Sequence, residues 1–293
     1  MITPLPPAAV AGLPRRTRPL VMGVVNVTPD SFSDGGRWLD PDLAVARGLQ
    51  LLEEGADLLD VGGESTRPGA TRPLVVEELD RVLPVIEALV AEGAPVSVDT
   101  MRSEVAAAAL ERGARMVNDV SGGLGDPAVL DVVADADAAY VAMHWRAHAD
   151  VMAGHARYDD VVADVVTELG QRVDAALAAG IDADRLAVDP GLGFAKTADH
   201  NWALLRRLDA LAVLDLPVLV GSSRKSFLGT LLASADGTPR PALEREDANA
   251  ALTTVAALAG VWAVRVHEAG KALDALRVVE RWLLPEDQEG PSA

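Results

Sequence analysis

Short apolar runs recur along this chain, and each ends in a polar residue or glycine: VMGVVN at Asn26, ADLLDVGGE at Glu64, PVSVD at Asp99, RMVND at Asp119, AAYVAMH at His144, RLAVD at Asp189, LPVLVG at Gly221 and AVRVH at His267. The runs are continuous rather than alternating, which suits strands covered on both faces, as in a parallel sheet. Between them lie stretches of helical period such as DLAVARGLQLLEEGA, EELDRVLPVIEALVAEG and SEVAAAALERGA, several closing on Gly before the next strand. Strands and helices alternating in this way predict an α/β fold, a single-domain (β/α)8 barrel of the TIM type. A doubly wound open sheet is the other arrangement, weakened because no GxGxxG follows the first strand. The barrel is expected over residues 20–284, between disordered tails at 1–19 and 285–293. Two segments break the alternation, 146–160 after the fifth strand and 234–247 after the seventh; both read as surface excursions of one domain.

Composition narrows the function. Of 293 residues, 49% are hydrophobic but only 3% aromatic, so the core is built from Leu, Val and Ala. A formal charge of −18 argues against a general nucleic-acid binder, which usually shows a basic face. It leaves room for a small anionic substrate, because a few local cations set the potential inside a cleft. With no cysteine in the chain, disulfides, thiolate metal sites and Cys nucleophiles are excluded. The proline-rich start lacks the apolar stretch of a secretory signal, and no run is long enough to span a membrane. A cytoplasmic protein is expected.

In a (β/α)8 barrel, active sites lie at the C-terminal ends of the strands. That rule gathers Asn26, Asp60, Glu64, Asp99, Asn118, Asp119, His144, Asp189, Ser222, Ser223, Lys225, Arg265 and His267 around one mouth. Singly, most have bland readings: Asp99 or Asp119 as helix caps, Asp189 as a turn former, His144 as a structural histidine. Eight polar or glycine-rich strand ends in one chain weaken those readings together. Asp99, Asn118 and Asp189 offer acceptors and an amide suited to the edge of a flat heterocycle, and a guanidine-like edge would sit well against a buried carboxylate. Arg265 and His267 alternate on the last strand and so face the same side. With Asn26 across the closure they make a corner fit for a phosphate group, to which a metal ion shared with Asn26 could be added. In VGSSRKSFLG, Ser222 or Ser223 is placed to cap a helix starting near Arg224, a second anion site. Lys225 is one of only three lysines against 23 arginines, so it serves a task needing a compact ammonium. The loops TPDSFSDGG and ESTRPGA over the mouth read as lids for a second substrate.

VMGVVNVTPDSFSDGG (21–36) and GADLLDVGGESTRPG (55–69) resemble the two signature motifs of bacterial dihydropteroate synthases. SVDT, VNDVSGG, MHWR, DPGLGFAKT, GSSRKSFLG and VRVH continue the match in family order, over residues 21 to about 283. The resemblance implies condensation of 6-hydroxymethyl-7,8-dihydropterin diphosphate with p-aminobenzoate to 7,8-dihydropteroate and pyrophosphate, in folate biosynthesis. Carried over by motif, Asp99, Asn118, Asp189 and Lys225 hold the pterin, with Met143 and Phe194 packing against it. Asn26, Arg265 and His267 hold the diphosphate, with Mg2+ at Asn26. Phe32, Thr66, Arg67, Pro68, Ser223 and Ser226 surround the aminobenzoate. Lys225, Arg265, His267 and the lid residue Asp34 serve catalysis. The family further implies a homodimer, inhibition by sulfonamides, and no nucleic-acid or membrane partner. Two other readings share the pterin logic: a methyltetrahydrofolate-dependent methyltransferase and a silent synthase paralogue. The first needs neither the diphosphate corner nor the ESTRPG loop; the second would be expected to lose them, and both are present.

Overall fold

A computed structural model of the chain describes residues 5, 8–28, 41–65, 72–148 and 152–283. Strands and helices alternate through β1 (Leu20–Asn26), α1 (Pro41–Glu53), β2 (Leu58–Gly62), α2 (Val75–Ala91), β3 (Val96–Asp99), α3 (Ser103–Glu111), β4 (Met116–Asp119), α4 (Ala128–Asp135) and β5 (Ala139–Met143). They continue through α5 (Val161–Ala178), β6 (Leu186–Asp189), α6 (Ala198–Arg206), β7 (Leu219–Val220), α7 (Ser226–Leu231), α8 (Glu246–Leu258), β8 (Ala263–Val266) and α9 (Ala269–Leu283). All eight expected strands are present.

The strands form one parallel sheet in the order β6-β5-β4-β3-β2-β1-β8-β7. The ends meet where Val188 of β6 bridges Val218, just before β7, in parallel sense, so the sheet closes on itself and the open doubly wound alternative falls away. Each helix returns the chain to the start of the next strand, as parallel pairing demands. Side chains then divide by parity. Leu59, Val61, Val96, Val98, Val117, Tyr140 and Val264 join the core between sheet and helices. Leu20, Met22, Leu58, Met116, Ala139, Val141, Ala187, Leu219 and Ala263 belong to a separate inner cluster. Asp160 caps α5 by accepting from Val162 and Ala163 N–H groups, and Thr197 caps α6. Both expected excursions are present: a 3-10 turn (Met152–His155) stands between β5 and α5, and α7 and α8 are separate helices.

The lead-in segment corrects one expectation. Residues 8–19 are not a loose tail: Val10 and Leu13 are buried in the inner cluster with Trp262, plugging the barrel from the end opposite the strand C-termini. Leu5 N–H donates to Ala259 O at 2.7 Å, and Ala11 N–H to Asp184 O at 2.8 Å. Arg16 and Arg18 grip the buried Asp57 carboxylate at 2.7 and 2.6 Å. Burial works against the charge of Asp57, but the Arg18 hydrogen bond and its companions outweigh that and hold it below the usual carboxylate range. Hydrophobic anchors spaced through a proline-rich stretch are too sparse for a periodicity reading to detect. Residues 285–293 lie outside the described residues.

Candidate active site

The strand C-termini place Asn26, Asp60, Asp99, Asn118, Met143, Asp189 and Arg265 around one mouth. Parity settles which residues face inward. Asn118 and Asp119 are adjacent, so they point to opposite faces of β4. Asp119 turns out toward the helices, taking hydrogen bonds from Ser121, Gly123 and the Tyr140 hydroxyl at 2.7–2.8 Å. Burial nonetheless raises its pKa. It braces the loop after β4.

Arg265 lies at the centre of the inward set. Its Nε donates to Asp60 Oδ2 and its Nη2 to Asp99 Oδ2, both at 2.6 Å, so one guanidinium ties three strands together. Asn118 Nδ2 also donates to Asp60 Oδ2, at 2.9 Å, which turns the amide oxygen of Asn118 away from Asp60. Burial drives the Asp99 carboxyl up to about 7, with Arg265 pulling it back and Asp60 adding to the rise. For Arg265 itself, burial opposes the charge, but Asp60 and Asp99 win and hold the pKa above the ordinary value. Asp60 is fully buried and was grouped with the strand ends, but no motif assigned it a role. The missed signal is that the inward parity of β2 lands on an acid facing an arginine on β8.

Asp189 accepts from Gly191 N–H through Oδ1 at 2.7 Å, while Oδ2 lies 3.9 Å from where a side chain on Gly221 would begin. Burial lifts its carboxyl to about 6, against the backbone bond from Gly191 and the charge of Lys225. Lys225 threads its stem past Gly193, where a Cβ would stand 3.1 Å from Lys225 Cδ; with φ at +80°, that position takes glycine on both counts. Its ammonium stops 4.2 Å from the centre of the Phe194 ring. Burial lowers the Lys225 pKa to about 8, with Asp189 opposing. Met143, Phe194, Met101, Val120, Ala147 and Ala195 form a separate apolar cluster at this mouth. The result is a flat apolar wall edged by Asp99, Asn118, Asp189 and Lys225, shaped for a planar ring with a donor-rich edge.

On the other side, Ser223 is buried, and its hydroxyl lies 2.9 Å from His267 Nδ1 and 3.4 Å from Glu246 Oε2. The same oxygen accepts from the His267 backbone N–H at 3.3 Å. Ser222 donates to Asn249 Oδ1 at 2.7 Å. Neither serine caps a helix: α7 begins at Ser226, with Lys225 preceding it. Ser226 is exposed at the rim. His144, read as a structural histidine, is 1% exposed and hydrogen-bonded on both ring nitrogens. Phe32, Asp34, Thr66, Arg67 and Pro68 lie outside the described residues.

Comparison with known proteins settles the family. The family described as pterin binding enzyme matches residues 22–267. The dihydropteroate synthase of Mycobacterium leprae is 55% identical over 264 residues, covering 90% of this chain and 93% of that protein. The chain belongs to the dihydropteroate synthase family. Among solved family members, the Xanthomonas albilineans synthase in complex with 7,8-dihydropteroate aligns with a TM-score of 0.83 at 45% identity, covering 96% of this chain and all of that one. The Yersinia pestis synthase, solved with a sulfonamide drug, aligns with a TM-score of 0.86 at 38% identity, over 94% of this chain and 98% of that one. The dihydropteroate synthase motifs read along the sequence therefore converge, where described, on the mouth of the barrel.

Proposed function

We propose that this chain joins 6-hydroxymethyl-7,8-dihydropterin diphosphate to p-aminobenzoate, releasing pyrophosphate and 7,8-dihydropteroate. The observation that carries the reading is the convergence of Asp99, Asn118, Asp189 and Lys225 around Met143 and Phe194, with Arg265 alongside. A pterin carries an exocyclic amine beside ring nitrogens, and the inward carboxylates with the Asn118 amide oxygen match those donors. Family members solved with 7,8-dihydropteroate and with a sulfonamide support the same ligand class.

In this reading the pterin stacks on the apolar wall, and its CH2–O–diphosphate arm reaches toward Asn26, Arg265 and His267. The C–O bond breaks at a carbon attached to a conjugated ring, which delocalises the positive charge. Arg265 and His267 take the departing diphosphate; Ser223, whose hydroxyl also reaches Glu246, holds the imidazole in place. The aminobenzoate nitrogen attacks the carbon, forms the C–N bond and gives up a proton to the pyrophosphate it displaces. No protein nucleophile takes part, so positioning and electrostatics supply the rate.

Mg2+ fits this corner through Asn26. No cluster of three or more His, Cys, Asp or Glu forms a cage among the described residues. One amide oxygen with diphosphate and water oxygens matches the way Mg2+ is bound to phosphates. When bound, it would neutralise charge on the leaving group. Phe32, Thr66, Arg67, Pro68 and Ser226 would surround the aminobenzoate, with Asp34 on the first loop; Ser223 is better assigned to orienting His267. A homodimer in the cytoplasm, inhibited by sulfonamides, completes the proposal. Among the described residues, no helix is long and apolar enough to cross a membrane.

The test is a coupled assay for pyrophosphate with both substrates present, each omitted in turn. Release must require both. Release without the aminobenzoate would indicate hydrolysis, and no release at all would favour the silent paralogue.

A further inference from the structure

Behind the pterin wall, a second set of charged groups clusters outside the mouth. Lys196 Nζ lies 2.8 Å from His144 Nδ1, 3.0 Å from Gly191 O and 3.0 Å from Phe194 O. An ammonium has three donors, and here it meets three acceptors. His144 Nδ1 must then present its lone pair, which places the ring proton on Nε2, 2.9 Å from Glu168 Oε2. Glu168 is held in turn by Arg146, whose Nε donates to Oε2 at 3.0 Å and whose Nη2 meets Oε1. Arg146 lies 3.8 Å over the Tyr158 ring, and the Tyr158 hydroxyl donates to Ala195 O at 3.1 Å. One loop, residues 190–197, is therefore fastened from two sides.

That loop needs fastening. Gly191, Gly193 and Ala195 have φ of +67°, +80° and +48°. For Ala195, the left-handed region presses Cβ toward the following carbonyl oxygen, a strain that persists only where the surroundings over-determine it. The alternation turns the Gly191 and Phe194 carbonyls toward the ammonium, while the Phe194 ring meets Lys225 in the pterin pocket.

We propose that Lys196 is a positioning residue for the pterin pocket: its ammonium gathers His144 and two loop carbonyls, and so sets the Phe194 ring where the heterocycle must stack. The ionisation behaviour confines this geometry to pH values up to about 7, where the ammonium persists. Burial brings Lys196 down to about 7, with Asp189 and Glu168 supporting its charge and Arg146 and Lys225 opposing it. Burial and the Lys196 charge lower His144 to about 3, leaving it the neutral acceptor the lysine requires. Composition points the same way: two of the three lysines in the chain flank Phe194, where a compact ammonium rather than a planar guanidinium fits.

The inference rests on the proposed synthase reaction, and the experiment separates the two. Wild type is first shown to release pyrophosphate from both substrates; failure there refutes the proposed function. Lys196→Met, which keeps the stem and removes the charge, is then expected to raise the KM for the pterin diphosphate about tenfold while leaving the p-aminobenzoate KM and kcat nearly unchanged. Lys196→Arg should not rescue. In wild type, nitrogen NMR of His144 should show a neutral ring protonated at Nε2 from roughly pH 5 up to about 7, the range in which Lys196 keeps its charge. A Lys196→Met enzyme with the wild-type pterin KM overturns the inference. So does a wild-type His144 carrying its proton at Nδ1, a readout that decides the matter alone if the variant does not fold.

Discussion

At the scale of single residues, the site is a set of buried charges whose partners decide what they can do. Asp60 never needs to touch a ligand to matter, since it holds both Arg265 and the amide of Asn118. Asp60→Asn should leave the guanidinium leaning on Asp99 alone and free Asn118 to turn over. We expect kcat/KM to fall about a hundredfold, or about 2.7 kcal/mol of transition-state stabilisation; steady-state kinetics within twofold of wild type would show that Asp99 suffices. Asp189 carries a pH signature. Burial raises its carboxyl from 3.8 to about 6, so between those values the folded chain keeps a proton that the unfolded chain has released. Its contribution to stability is present at low pH and is lost as pH rises through that window. The stability advantage of wild type over Asp189→Asn should therefore shrink as pH rises from 3.8 to about 6 in denaturant unfolding. A pH-independent difference would mean that Asp189 is ionised in the folded state throughout.

At the scale of elements, the two ends of the barrel have separate duties. The strand C-termini and the loops after them carry the chemistry, whereas the lead-in segment seals the opposite end. Removing residues 1–13 would take away Leu5, Val10 and Leu13, all buried. At about 1.5–3 kcal/mol for each fully buried side chain, the loss is roughly 5 kcal/mol, enough to lower Tm by roughly 10–20 °C. Turnover at about 25 °C should be nearly unchanged, because the described residues of the segment pack at the end opposite the mouth. Thermal unfolding and the pyrophosphate assay on the truncated chain check both halves; lost turnover with an unchanged Tm would contradict the division of labour. The loop after β6 behaves differently. Its three left-handed residues make it a shaped part, held by Lys196 and Tyr158 rather than by the barrel itself.

At the scale of the whole molecule, a chain of formal charge −18 must draw in two anionic substrates. Lys225 and Arg265 supply the local positive field, and both are already shared with buried carboxylates. A bound pyrophosphate would complete the corner beside which the aminobenzoate must sit. Calorimetry should show p-aminobenzoate binding weakly or not at all by itself, and at least about tenfold more tightly with pyrophosphate and Mg2+, a coupling of about 1.4 kcal/mol. Equal affinity under both conditions would mean that the two subsites are independent.

Eight strands, their parallel sense, the single barrel and the family were all legible along the chain, because each depends on local pattern: continuous apolar runs, helical period between them, and polar residues at every strand end. The inward-facing strand ends Asp99, Asn118 and Asp189, to which we assign the pterin, were legible for the same reason, whereas Lys225 entered that proposed set through the family motif. Closure of the sheet decided the rest. Asp60 and Arg265 are 205 positions apart, and Asp99 and Arg265 are 166 apart, yet each pair makes a hydrogen bond of 2.6 Å across the barrel interior. Asn118 and Asp119 look alike at the end of one strand, but alternation sends one into the mouth and the other to the helices. Ser223 reads as a cap until β8 brings His267 beside it. Lys196 shows only as one residue of a motif until the folded loop turns the Gly191 and Phe194 carbonyls toward it. Local pattern encodes which face a residue shows, whereas the partner waiting on that face comes from a distant strand and exists only once the barrel has closed.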